Sequence, residues 1–271
     1  MPPDEFAPKT NGWAYAYDRD FPLDATVEPF HEDDVLRVER FEITSANDQR
    51  VPGLLFRPAL DARTGPTILI AHPATLDKAS EYITGPARQW ARAGATCVTI
   101  DQAGHGDRAA GSISIEEFRR FPLRQARQSV QTAIDWMRVV DYLETRDDLD
   151  SSRLGFVGFS MGGRRGAPFV GLDQRLGAAV FCISGAAVGT PADDAAQRAQ
   201  HATDPLTFAP MMNCATLVVA GTRDDIVPPD AAQKFFDAMP EPKRIEWFEC
   251  GHWDFMPQGL GPIWPFLEST L

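Results

Sequence analysis

The chain has 271 residues, 44% of them apolar and 24% charged, enough for a sizeable core in one large α/β domain or two small ones. Acidic residues number 38 against 26 lysines and arginines, and the net charge of −12 argues against nucleic acid or an anionic membrane surface as a partner. No run approaches the ~20 apolar residues of a membrane span, and the opening "MPPDEFAPKTNGW" lacks the basic and apolar blocks of a secretion signal, so a cytoplasmic location is expected.

Residues 1–34 form an arm rich in proline, acids and aromatics, among them Trp13, Tyr15, Tyr17, Phe21 and Phe30, without sustained periodicity. A surface strap is the first expectation; a contact within a homodimer and part of a cover over a pocket are the alternatives. From Val35 the pattern changes. "VLRVERFEI" alternates apolar and polar residues, and "VPGLLFRP" follows the polar turn "TSANDQR", which predicts an antiparallel pair at a sheet edge. "TILIAH" and "ATCVTID" are short continuous apolar runs of the kind covered on both faces, with the helix candidate "EYITGPARQWARAG" between them. From Ser114 to Leu143, apolar residues at Leu123, Ala126, Val130, Ile134 and Met137 recur at spacings of three and four and predict an amphipathic helix. Four more strand-like runs follow, "RLGFVGF", "AAVFCIS", "TLVVAGT" and "RIEWFEC", with a helix predicted at 230–239. Alternation of this kind predicts an α/β fold, a mostly parallel sheet with helices on both faces. The polar, alanine-rich stretch 187–213 breaks the rhythm and reads as a small cap inserted into the single domain 35–271. Cys97, Cys182, Cys214 and Cys250 have no paired spacing and read as reduced, buried thiols.

One run ends abruptly. Gly158-Phe159-Ser160-Met161-Gly162 fits G-x-S-x-G, a tight strand-to-helix turn that projects a serine hydroxyl from the sheet edge. Glycines flank it where a Cβ would meet neighbouring backbone, and the helix that follows aims its positive dipole end at the same point. A serine needs a base to become a nucleophile. Of five histidines, His252 in "FECGHWDF" follows the last strand-like run and lies at the same sheet edge; His31 and His201 read as surface residues, His72 as structural, and His105 as the lesser candidate. The base needs a carboxylate to orient it, and "RDDIVPPD" offers Asp224 and Asp225 at the end of a strand, with Asp224 preferred.

The sheet rhythm with "GFSMGG", "GTRDDIVP" and "GHWDF" resembles the α/β-hydrolase family from about Val35 onward, and its layout is most similar to the small-esterase and dienelactone-hydrolase-like branch. The resemblance implies a triad of Ser160, Asp224 and His252. It also implies an oxyanion hole made by the N–H groups of Met161 and Ala74, with Thr75 as fallback because His72-Pro73-Ala74-Thr75 stands where relatives often carry His-Gly. Thr75, Leu76, Tyr82, Trp253 and Phe255 are the candidate pocket residues; packing of the core or cap is their other reading. The expected chemistry is hydrolysis of a small or medium carboxylic ester without metal or organic cofactor. Cleavage of amide, peptide or carbon–carbon bonds by the same residues is one alternative, and a non-catalytic ligand-binding member of the fold is the other.

Overall fold

In the computed structural model, which describes residues 12–59, 65–110 and 120–271, the apolar runs become the strands of one nine-stranded sheet. They are β1 (Thr26–Glu32), β2 (Leu36–Thr44), β3 (Arg50–Pro58), β4 (Thr67–Ala71), β5 (Thr96–Ile100), β6 (Leu154–Phe159), β7 (Leu176–Cys182), β8 (Ala215–Gly221) and β9 (Lys243–Phe248). Their order across the sheet is β1-β2-β3-β5-β4-β6-β7-β8-β9. The first three strands and the β3–β5 junction are antiparallel; every pair from β5 through β4 to β9 is parallel. Strands β4, β5 and β6 are buried at every residue, as continuous apolar runs covered on two faces must be.

Helices cover both faces: α1 (Glu81–Arg92), α2 (Pro122–Glu144), α3 (Met161–Leu172), α4 (Asp194–Thr203), α5 (Pro205–Phe208), α6 (Pro229–Ala238) and α7 (Ile263–Thr270). The sheet divides the interior in two. Ile83 and Trp90 of α1 pack with Ile263 and Leu267 of α7 on one side. Trp136 of α2, Phe169 of α3, Phe208 of α5 and Phe235 of α6 pack around Phe156 and Phe181 on the other.

Three differences from the sequence reading have physical causes. The arm contains β1, a strand exposed at every residue, so no burial pattern marks it; Pro29 beside a register shift, with charged neighbours, suits an outermost strand. The edge pair is therefore a three-stranded margin. The helix expected from Ser114 to Leu143 is interrupted: Arg120 is helical, Phe121 leaves the helical conformation ahead of a proline (φ −123°, ψ 73°), and α2 runs from Pro122; residues 114–119 lie outside the described residues. Segment 187–213 folds as α4, α5 and a short 3-10 turn, and α4 is tied to the arm by the Tyr15 hydroxyl, which donates to the Ala202 carbonyl at 2.8 Å. All four cysteines are buried and free. Among the described residues no helix is long and apolar enough to cross a membrane.

Candidate active site

Parallel strands bring their carboxyl ends to one edge, and each chemical group stands on a loop leaving that edge. At the end of β6 the chain reverses into α3 through Ser160, whose φ of 50° and ψ of −114° place a non-glycine residue in a left-handed, strained region. The surroundings enforce that turn. Ser160 N–H donates to the Cys182 carbonyl (2.8 Å), while its own carbonyl accepts from Arg164 N–H (3.0 Å) and the Ser184 hydroxyl (2.8 Å). A Cβ at Gly158 would overlap the Gly163 backbone, and one at Gly162 would overlap the Ala71 carbonyl, so both flanking glycines are steric requirements of α3 lying close on the sheet.

The Ser160 hydroxyl lies 2.8 Å from Nε2 of His252, on the loop after β9. Nδ1 of the same ring lies 2.8 Å from Oδ2 of Asp224, on the loop after β8. The other oxygen of Asp224 accepts from the N–H groups of Ile226 (2.9 Å) and Val227 (2.8 Å), which fixes the orientation of the carboxylate. Asp224 and His252 are buried, whereas Asp225 is exposed and outside this chain of contacts. The acid and base loops are joined by backbone bonds from Thr222 to Phe248 (2.8 Å) and from Arg223 to Cys250 (3.0 Å). A carboxylate that accepts from Nδ1–H leaves Nε2 bare to receive the serine proton.

Met161 opens α3, so its N–H belongs to the first turn, whose donors have no partner within the helix. Ala74 is half-buried on the loop after β4, and the next residue, Thr75, is exposed with φ 65°. That loop is held at several points. His72 is fully buried; its Nε2 accepts from Gln102 N–H (3.2 Å), so the ring proton sits on Nδ1 and is donated to the Pro73 carbonyl (2.8 Å). Burial drives its pKa down to about 4, and burial with the nearby Arg165 drives that of neighbouring His105 down to about 3, so both rings are neutral. Gln102 also donates to the His72 carbonyl (2.6 Å).

Sequence reasoning missed the clamp further along the loop. Lys78 Nζ lies 2.7 Å from Asp101 and 2.6 Å from Asp107, and Lys78 N–H donates to the first of these carboxylates at 2.8 Å. Asp101 is fully buried at the end of β5. The two residues stand 23 positions apart, and the only signals were a lysine in a short loop and an acid closing an apolar strand.

The candidate pocket residues separate. Tyr82 is half-buried, edge-on to Phe159 with ring centres 5.4 Å apart; Leu76 is half-buried and Thr75 exposed. Trp253 is 71% exposed and edge-on to His252 (5.5 Å). Phe255 is fully buried and packs on Phe159 from within the core, so it presents no surface to a ligand; the packing reading holds for it. Among the described residues no group of three or more histidines, cysteines or acids is placed to hold a metal ion.

A family model described as an alpha/beta hydrolase domain matches residues 64–261. No protein of curated function matches the chain in sequence. Among solved structures, an acetyl xylan esterase from Paenibacillus sp. R4 superposes with a TM-score of 0.81 at 20% identity, covering 100% of both chains. Acetyl xylan esterase 1 from Thermoanaerobacterium sp. JW/SL YS485 gives 0.79 at 14% identity, over 95% of this chain and 91% of that one. A cold-adapted esterase from an Arctic intertidal metagenomic library gives 0.73 at 20% identity, over 90% and 97%. At these identities the likeness is one of fold, and with a model that spans most of the sequence it places this chain in the α/β hydrolase family.

Proposed function

We propose that the protein is a serine carboxylesterase acting on small or medium esters through an acyl-enzyme on Ser160. The observation that carries this reading is the continuous relay from the Ser160 hydroxyl to His252 to Asp224, with 2.8 Å at both joints. As the hydroxyl oxygen attacks the ester carbonyl, its proton passes to Nε2 of His252. Asp224 stabilises the imidazolium and keeps the ring in register. The tetrahedral oxyanion lies against the N–H groups of Met161 and Ala74. The proton then moves from His252 to the departing alcohol, leaving the acyl group on Ser160. Water repeats the sequence in reverse roles and releases the acid.

The structural neighbours named as esterases lead in the same direction and make acetate esters the first substrates to try. Labelling by a fluorophosphonate probe, lost in Ser160→Ala, is the expected outcome; a wild type that resists the probe, or a variant that labels equally, overturns the mechanism. Nitrophenyl esters are expected to turn over faster than matched anilides. The reverse order would assign the site to amide cleavage.

A further inference from the structure

Beside the catalytic edge lies a groove of about 330 Å³ between α2, the loop after β5 and the β2–β3 turn. Among the described residues its walls carry Arg108, Arg124 and Arg127 with Gln49, Gln128 and Gln131, and no carboxylate. In a chain with 38 acids and 26 basic residues this is a local reversal of charge. Arg108 is already neutralised, its guanidinium 2.6 Å from the buried Asp135. Arg124 and Arg127 are exposed, and among the described residues neither has an ion-pair partner. The neighbouring buried acids are committed elsewhere, Asp135 to Arg108 and Asp101 to Lys78. Positions 124 and 127 stand one turn apart on α2, where like charges repel and weaken the helix unless an anion lies between them.

The Gln128 amide also lines the groove. Arg165 can only donate, so the oxygen of the Gln128 amide must face it (3.0 Å), and the amide nitrogen is turned to the other side, against Gly104. Gly104 has φ 79°, and a Cβ there would overlap that nitrogen, so the loop is shaped around the amide. Two exposed guanidiniums and the Gln128 amide line the same concavity, a set rich in donors and complementary to carboxylate or phosphate oxygens. The volume lies at the small end of ligand sites, roughly 300–1,000 Å³.

We propose that this groove binds a small polyanion, a di- or tricarboxylate or a phosphorylated compound, gripped by Arg124, Arg127 and Gln128. The assignment does not depend on the esterase reading. Through Gln128 and Arg165 the groove is one side chain from α3, the helix that Ser160 begins.

Isothermal titration with citrate and with pyrophosphate tests it in the full-length protein. Saturable binding of at least one is expected, and the preferred probe separates carboxylate from phosphate recognition. The R124Q/R127Q variant, altered only at exposed positions, is expected to bind at least about tenfold more weakly. The K234Q/R244Q variant removes the same charge from α6 and β9 and is expected to bind like wild type. Absence of saturable binding of both probes to wild type at millimolar concentration, or equal loss in the two variants, overturns the proposal.

Discussion

Asp224 and Asp225 are neighbours in the chain with opposite surroundings, and the role proposed for Asp224 rests on that difference. Asp224 is buried, bonded to two backbone N–H groups and to His252. Asp225 is exposed. Asp224→Asn is expected to lower kcat by roughly three to four powers of ten, because an amide no longer fixes the productive tautomer; Asp225→Asn should stay within about twofold. Steady-state kinetics on one nitrophenyl ester distinguish them. His72 adds a separate effect on stability. Its folded pKa lies at about 4 against 6.5 for the free group, so between those values the unfolded chain holds more protons. Stability is therefore fully present above pH 6.5 and declines as pH falls towards 4. Urea unfolding across that window should show a shallower decline in His72→Gln than in wild type.

The loop from Pro73 to Ser80 depends on a clamp rather than on its own propensities, and the clamp makes a prediction at the level of the element. Lys78→Met leaves Asp101 buried without its cation and is expected to cost about 3 kcal/mol of folding stability. It should also lower kcat about tenfold or more by loosening the loop that carries Ala74. Chemical denaturation and initial rates check the two effects independently. This clamp was not legible in the sequence, because an ion pair between distant positions leaves no periodic trace. By contrast β4, β5 and β6 announce themselves as unbroken apolar runs, and Ser160, Asp224 and His252 could be singled out because each follows a strand-like run. β1 stayed hidden for the opposite reason: a strand with every side chain in solvent has no pattern to read. The start of α2 illustrates local chemistry breaking a longer helix, since Phe121, placed ahead of a proline, leaves the helical conformation between Arg120 and Pro122. For Phe255 the sequence left pocket and packing both open, because adjacency to His252 says nothing about which way a ring points.

Across the whole molecule the amino-terminal arm is fastened to three helices at once. Arg138 of α2, almost fully buried, donates to the carbonyls of Arg19 (2.8 Å) and Phe21 (2.6 Å) and pairs with Asp141 (3.1 Å). Tyr15 is buried edge-on against Phe208 of α5 (5.3 Å), with its hydroxyl on Ala202 of α4. Tyr15→Ala should therefore cost about 3–5 kcal/mol and expose the arm to limited proteolysis before the sheet is cut. Denaturation midpoints and fragment masses measure this. The opposite margin has another significance. Asp224 and His252 hang from β8 and β9, the last two strands on their side, and are laced to each other by the bonds between residues 222–223 and 248–250. Gentle warming that frays this border would carry both away from Ser160 as one piece, silencing turnover while the aromatic interior still reports an intact protein.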